Sequence, residues 1–249
     1  MSGIDSERFQ MLWRKHSDAV NLRLLDRWLS ARSRAALKTD LFDEAVGPGV
    51  FAKLATNSSR VAGIDLSPST VEAARSRHPG IQAAVADVRE VPFEDGEFDL
   101  VVSLSTLDHL PTMAELGRAL REIHRVLAPG GTLVLTLDNR ANPAVALRNA
   151  LPFETLHRLG IVPYPLGVSC GPRRLRMAVE QADLKVGRET AIMHAPRVLA
   201  VAVAAAIERR LGAAGKSRYL RSLMAFEALE RLPTRSLSGY FLALRATKR

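Results

Sequence analysis

Three apolar runs, each closed by an acid at a turn, lie between residues 38 and 139. The first turn reads Leu41-Phe42-Asp43-Glu44-Ala45-Val46-Gly47-Pro48-Gly49, the second Ala62-Gly63-Ile64-Asp65-Leu66-Ser67, and the third Ala86-Asp87-Val88-Arg89. A hairpin-like signal, Ala128-Pro129-Gly130-Gly131, follows in the same stretch. Apolar strands alternating with helical segments need crossovers, and right-handed crossovers build a mostly parallel sheet covered on both faces. In such a sheet the carboxyl ends of the strands converge on a crevice, where their loops can hold one nucleoside-bearing ligand. The pattern therefore constrains the chain to an α/β fold with a small-molecule site at one sheet edge.

The remaining elements are read around this stretch. Trp13, Val20, Leu24 and Trp28 recur at helical spacing, and Leu22, Leu25 and Leu29 widen the face, so 7–37 predicts one or two helices. Leu41 and Phe42 read as a short first strand ending at Asp43, with a helix starting over 50–55. Residues 61–64, 81–86, 98–103 and 132–137 read as the second to fifth strands. Ser67 is an N-cap ahead of Pro68 for a helix that stops before Pro79-Gly80, and 114–127 is a long amphipathic helix. Past Asn139, prolines at 143, 152, 163, 165 and 172 punctuate the chain. A helix is expected over 175–181, a strand over 185–192, an alanine-rich apolar segment over 195–211, an amphipathic one over 216–232 and a strand over 239–245. At 249 residues, one domain over 1–249 is expected: a helical cap (1–37), a ligand-binding core (38–140), and an acceptor-side cap with closing strands (141–249).

Charge is unevenly spread over the chain's net +9. Residues 39–150 carry 10 Lys/Arg against 15 Asp/Glu, whereas residues 151–249 carry 17 against 7. The basic part suits an anionic acceptor, a phosphate group or a membrane surface, and equally a merely solvated exterior. The single Cys170 excludes an internal disulfide and suits a reducing compartment. Residues 1–7 lack a basic region followed by an apolar stretch, so a cytoplasmic location is expected, with membrane-peripheral contact as a variant.

A literal G-x-G-x-x-A, Gly47-Pro48-Gly49-Val50-Phe51-Ala52, lets backbone N–H groups approach a ligand closely and fits either of two nucleotide cofactors, as does Asp65 toward ribose hydroxyls. The later segments separate the two. Asp87-Val88 with Val91-Pro92-Phe93, then Gly96-Glu97-Phe98-Asp99-Leu100-Val101-Val102-Ser103, Leu107-Asp108-His109-Leu110 and Leu127-Ala128-Pro129-Gly130-Gly131 resemble the class I S-adenosylmethionine-dependent methyltransferases. The resemblance covers residues 38–139 and a closing strand near 241–246. It implies a Rossmann-like, doubly wound seven-stranded sheet of order 3-2-1-4-5-7-6, its last strand antiparallel, with helical segments capping both ends. It also implies S-adenosyl-L-methionine as cofactor. Carried over, the family's first-strand acid falls on Asp43, at the methionine amino group. Its glycine turn falls on Ala45, Gly47 and Gly49, with alanine in place of the first glycine and a displaced turn as the consequence. The ribose acid falls on Asp65, the adenine contact on Leu66, the adenine-amino acid on Asp87 with the Val88 amide beside it, and the methionine-side lining on Ser103 to Ser105.

Methyl transfer from a sulfonium is an in-line displacement driven largely by alignment and desolvation, and a base is needed only for a hydroxyl or protonated amine. His109 is the first candidate base, with Asp108 as orienting partner; a structural histidine is the alternative. Asn139 and Asn142 are candidates to orient the acceptor, set against roles in the turn. His16, Tyr164 and His194 are weaker candidates. The expected acceptor is a small or lipid-like molecule methylated at O or N, and an anionic one suits the basic cap. The apolar run 198–207 is too short to span a bilayer but suits a hydrophobic pocket, a buried core helix or a membrane surface. RNA methylation is disfavoured by 5% aromatic content and the lack of a recognisable RNA-binding module. A non-catalytic adenosylmethionine-binding protein and a nicotinamide oxidoreductase remain the competing classes. No zinc-ligand spacing and no G-x-x-x-x-G-K-[ST] phosphate loop occurs.

Overall fold

Seven strands in one sheet organise the chain, described by a computed structural model over residues 11–29, 31–158, 162 and 166–249. They are β1 (Ser33–Lys38), β2 (Ser58–Asp65), β3 (Ile81–Val85), β4 (Phe98–Ser103), β5 (Leu127–Asp138), β6 (Leu184–Ile192) and β7 (Phe241–Lys248). Their spatial order is β3-β2-β1-β4-β5-β7-β6, with β7 antiparallel to both neighbours and the first five strands parallel. This is the order and the antiparallel last strand that the motif resemblance implies.

Helices cover both faces. One is α1 (Met11–Trp28); three short or medium helices follow the first two strands, α2 (Phe42–Val46), α3 (Phe51–Asn57) and α4 (Pro68–Arg77). Next come α5 (Met113–Val126), α6 (Pro143–Ala150), α7 (Phe153–Arg158) and α8 (Pro172–Glu180). The stretch between β6 and β7 forms α9 (Arg197–Arg210), α10 (Ala213–Ala225), a 3₁₀ segment (Phe226–Arg231) and α11 (Arg235–Ser238).

Alternation along β1 explains the two cores. Ala35 and Leu37 pack with Ile64, Val101 and Leu135 against Leu116, Leu120 and Ile123 of α5. Ala36, one residue out of phase, packs with Val61, Leu100 and Val134 against Leu24, Leu25 and Trp28 of α1. In α5 the buried positions Leu116, Ala119, Leu120, Ile123 and Val126 form a single stripe, and Thr112 caps its start by accepting from the Glu115 N–H at 3.2 Å.

Two expectations are overturned at the start of the core. Residues 33–37, read as the end of a helical cap, form the central strand β1 together with Lys38. The run Ser-Arg-Ala-Ala-Leu-Lys has helix-favouring composition, but Ala36 and Leu37 are fully buried between two helical layers, and that burial overrides local propensity. Leu41 and Phe42 are not a strand. Asp40 Oδ1 accepts the Phe42 N–H at 2.9 Å and opens α2, and the Ala45 N–H closes its first turn on the Leu41 carbonyl at 2.8 Å.

Candidate functional site

The carboxyl end of β1 carries a buried lysine. Lys38 is 2% exposed; its Nζ lies 2.8 Å from Glu44 Oε2 and donates to the Asp40 carbonyl at 2.5 Å. Glu44 is completely buried, and its Oε1 accepts the Val50 N–H at 2.9 Å. The turn from α2 to α3 is thus wrapped around one carboxylate. Gly49 closes it at φ +49°, and a Cβ there would lie 2.7 Å from Glu44 Cδ, so conformation and space both demand glycine. Ala45 is not part of this turn. It lies inside α2, where alanine is favoured, so the displaced turn expected from the missing glycine does not arise. Gly47 has an open side, its nearest potential Cβ contact being the Asp43 carbonyl at 3.5 Å.

Around Lys38 stand more acids than it can neutralise. Asp40 has its pKa raised to about 6, chiefly by burial, with Lys38 opposing and Asp43 and Asp65 adding repulsion. Asp43, in α2 rather than at a strand tip, is also raised by burial, against Lys38 and with Glu44. Asp18 of α1 is raised to about 7 by burial and by the fields of Asp43 and Glu44. Burial works against the charge on Lys38, yet Glu44 first, then Asp40 and Asp43, lift its pKa above the ordinary lysine value. Such a pocket is electrostatically complementary to a cation.

Next to it, Asp65 ends β2. Its Oδ2 accepts the Leu41 N–H at 3.1 Å and its Oδ1 the Ser67 N–H at 2.8 Å, which leaves lone pairs on both oxygens for hydroxyl donors. Leu66 projects beside it, 70% exposed, an apolar surface at the mouth of the crevice. Asp87, just past β3, is held below the usual carboxylate range by hydrogen bonds from Arg89, which also reaches Glu115 at 2.5 Å. An amino group meeting Asp87 would share it with this guanidinium. Val88 is buried in the core beneath. At the end of β4, Ser103 is fully buried with its Oγ unpartnered, and Ser105 holds φ +53°, its N–H donating to Thr136 Oγ1 at 2.8 Å. A non-glycine residue in the left-handed region at a strand end is the kind of strain found at functional sites.

On the other side of Asp40 lies a 3₁₀ turn, Leu107–His109. Gly167 sits against it so tightly that a Cβ would come 2.6 Å from the Leu110 carbonyl, and the Val168 N–H donates to that same oxygen at 2.8 Å. Under this cover Asp108 is buried and its Oδ1 has no hydrogen-bond partner. Burial first, then Asp138 and Asp40, push its pKa well above the usual range. His109 is exposed at the turn, yet neighbouring protein desolvates its ring enough to lower its pKa, with Asp138 opposing. Asp138 is thus a carboxylate whose field reaches His109. Asp138 ends β5 and pairs with Arg148 of α6, which also donates to Tyr240 Oη at 2.5 Å.

The asparagine candidates do not point at an acceptor. Asn139 is fully buried, its Nδ2 donating to the Ser236 and Gly239 carbonyls at 2.6 and 2.8 Å while its Oδ1 accepts the Ala141 N–H at 3.0 Å. Asn142 caps α6 through its Oδ1 and donates to Ser238 and Gly239 carbonyls. Both pin the connection into β7. His194 is likewise structural, bonded to Ser238 Oγ at 2.8 Å and the Ala191 carbonyl at 2.9 Å. His16 is buried in the second core with its pKa lowered to about 4 by burial. Tyr164 lies outside the described residues.

Sequence reading missed Lys38, Asp40, Glu44 and Asp18 as part of this site. A signal existed for Asp40: it follows the apolar Ala35-Ala36-Leu37 by the two residues that separate a strand end from its turn. Asp18 had none, because α1 reaches the crevice only through tertiary packing.

Known proteins resemble this chain in the same region. The methyltransferase domain family model matches residues 42–135. A probable S-adenosylmethionine-dependent methyltransferase of Mycolicibacterium smegmatis is 31% identical over 102 residues, covering 41% of this chain and 38% of that protein. The ubiquinone biosynthesis O-methyltransferase of Pseudomonas paraeruginosa is 33% identical over 140 residues, covering 53% of this chain and 57% of that protein. In both cases the chain spans less than two thirds of the relative's length. Among solved structures, the cyclase SpnF superposes with TM-score 0.60 at 18% identity, over 93% of this chain and 81% of that one. A SAM-dependent methyltransferase from Methanosarcina mazei gives TM-score 0.60 at 16% identity, over 90% and 96%. These superpositions speak for the fold alone, and a cyclase among them shows that the fold by itself does not name a reaction.

Proposed function

We propose that this chain, whose residues 42–135 match the methyltransferase domain family, is built around a class I S-adenosylmethionine-dependent methyltransferase core and transfers a methyl group to an oxygen or nitrogen of a small-molecule or lipid-like acceptor. One observation carries the reading: Asp65 raises the pKa of Asp40, and Asp40 in turn raises that of the buried Asp108, so an acid suited to the cofactor and an acid suited to the acceptor lie within electrostatic reach of the same residue.

The residues fit the cofactor. Surplus carboxylates at Asp40, Asp43 and Asp18 suit its ammonium and sulfonium, Asp65 has free lone pairs for the ribose hydroxyls, and exposed Leu66 offers a surface for the adenine. Bound there, S-adenosylmethionine supplies an activated methyl group on an excellent leaving group. The protein's part is to align the acceptor, exclude water and hold a proton. Asp108 Oδ1, buried and without a donor, is the acceptor's hydrogen-bond site. His109, kept neutral near pH 7, takes the proton. The named role of the Pseudomonas relative, O-methylation in ubiquinone biosynthesis, supports a hydroxyl on an apolar molecule.

Calorimetry with S-adenosylmethionine, followed by transfer of labelled methyl to an acceptor panel, tests the proposal. Asp65→Ala is expected to weaken cofactor binding, whereas His109→Ala is expected to spare it and reduce turnover about 10²–10⁴-fold. Asp108→Asn keeps the shape but changes the donor pattern, and should raise the acceptor KM more than the cofactor Kd. A wild-type protein that ignores the cofactor ends the proposal; full activity in His109→Ala removes the base assignment alone.

A further inference from the structure

Helix α9 is amphipathic the wrong way round for a helix facing water. Its inward positions Ala200 and Ala204 are 5% and 0% exposed, while Val198, Leu199 and Val203 are 72%, 62% and 38% exposed. Ala202 and Ala206 complete the same outward face, so it bears no charge for more than two turns. The one acid of the helix, Glu208, is turned inward, where its Oε1 accepts the Leu12 N–H at 2.7 Å. Beyond the apolar face come exposed Arg209 and Arg210, then Leu211 at 47% exposure, and α10 adds exposed Arg218 and Arg221. An outward apolar stripe with a basic rim and no acid is complementary to an anionic surface with an apolar interior.

The stripe also has a position. β6 runs parallel to β1–β5, so α9 leaves the sheet at the edge where Asp40, Asp65 and Asp108 converge. Its first residue, Arg197, stacks 5.0 Å over the Tyr240 ring, and Tyr240 joins Arg148 and Asp138 at the end of β5.

We infer that α9 docks in the plane of an anionic lipid bilayer and holds the crevice against the membrane surface. Its 14 residues are too few to cross a bilayer, and among the described residues no helix is long and apolar enough to do so. The docking goes beyond the proposed reaction and does not depend on which atom is methylated.

Flotation of the full chain with vesicles of phosphatidylcholine alone, or with about 30 mol% phosphatidylserine, tests it. The wild-type protein is expected to float with the anionic vesicles, to be released by high salt, and to stay behind with neutral ones. Val198→Glu/Leu199→Glu should lower partitioning at least about tenfold, since both side chains leave the lipid and the new charges are repelled. Arg210→Glu/Arg221→Glu should reduce it without touching the apolar stripe. All substituted positions are exposed, and an unchanged melting midpoint with unchanged S-adenosylmethionine calorimetry confirms that a loss is specific. The same calorimetry separates failure of docking from failure of the proposed reaction. Absence of wild-type flotation, or flotation of Val198→Glu/Leu199→Glu at the wild-type level, overturns the inference. So does a dimer that the double variant dissociates, or salt-sensitive binding of transfer RNA in the absence of vesicle binding, because each gives the face another occupant.

Discussion

Glu44→Ala is expected to destabilise the fold by about 3–5 kcal/mol, because it strands the Lys38 ammonium in the interior. Lys38 is 2% exposed and Glu44 is fully buried, so water does not replace the lost partner, and the remaining acids act on Nζ at longer range than Glu44 does. The nearest alternative, Asp40 Oδ1, lies 3.8 Å from Nζ. The substitution also removes the acceptor of the buried Val50 N–H and empties the space that Gly49 is shaped to leave. A Lys38→Met/Glu44→Leu double replacement is expected to come much closer to the wild type, since an apolar pair of similar volume avoids both desolvation penalties and takes partners only from the Val50 N–H and the Asp40 carbonyl. Urea midpoints at constant m-value check both. The Lys38 contribution is fully present below the ordinary lysine pKa and is lost as the pH rises through its raised folded value, so it is intact at neutral pH. A Glu44→Ala midpoint equal to the wild type would mean that the ammonium reaches water, and the buried-pair account would fall.

Most strands were legible because each motif is local, an apolar run, an acid, a glycine or proline, whereas their spatial order came only from the family resemblance. β4 was placed to the residue and β7 to within three, while β5 was read only over 132–137, because Ala128-Pro129-Gly130-Gly131, taken as a hairpin signal, lies inside a strand that starts at Leu127. β1 was not, because Ala35-Ala36-Leu37 has no strand propensity of its own and becomes a strand only between β2 and β4. That one misplacement set the strand-end acid at Asp43, whereas β1 ends two residues before Asp40, and it put Ala45 into a turn where the chain is helical. The asparagines failed for a different reason. Asn139 and Asn142 bond to carbonyls of Ser236, Ser238 and Gly239, nearly a hundred residues away, and no local pattern announces such partners. Asp108 and His109 were read as candidates because they follow a well-marked strand, although the close packing of their turn against Gly167 comes from a distant segment.

The misplaced acid yields the second large effect. Asp40→Asn is expected to weaken S-adenosylmethionine binding by about ten- to a hundredfold near neutral pH, the worth of a charge-assisted contact in a partly buried site. The pH dependence has a definite sign. Asp40 titrates at about 6 in the free protein, raised mainly by burial, and a cationic ligand favours its ionised form. The Asp40 component of the affinity should therefore be level above that value and fall as the pH drops through it, by about tenfold between pH 7.5 and pH 5, where only about one carboxylate in ten remains ionised. Facing Asp40 are Lys38, whose charge is fixed over this range, and the acids Asp43 and Asp65. Asp18, titrating at about 7, and His109 add slopes of the same sign, because protonating either makes the crevice less negative. In Asp40→Asn those residual slopes remain while the component centred near 6 disappears. Calorimetric titrations of both proteins at half-unit pH steps resolve the difference. Parallel profiles for the two proteins, or a wild-type affinity that rises on acidification, would place the cofactor's positive charge away from Asp40 and return the assignment to Asp43 or Asp18.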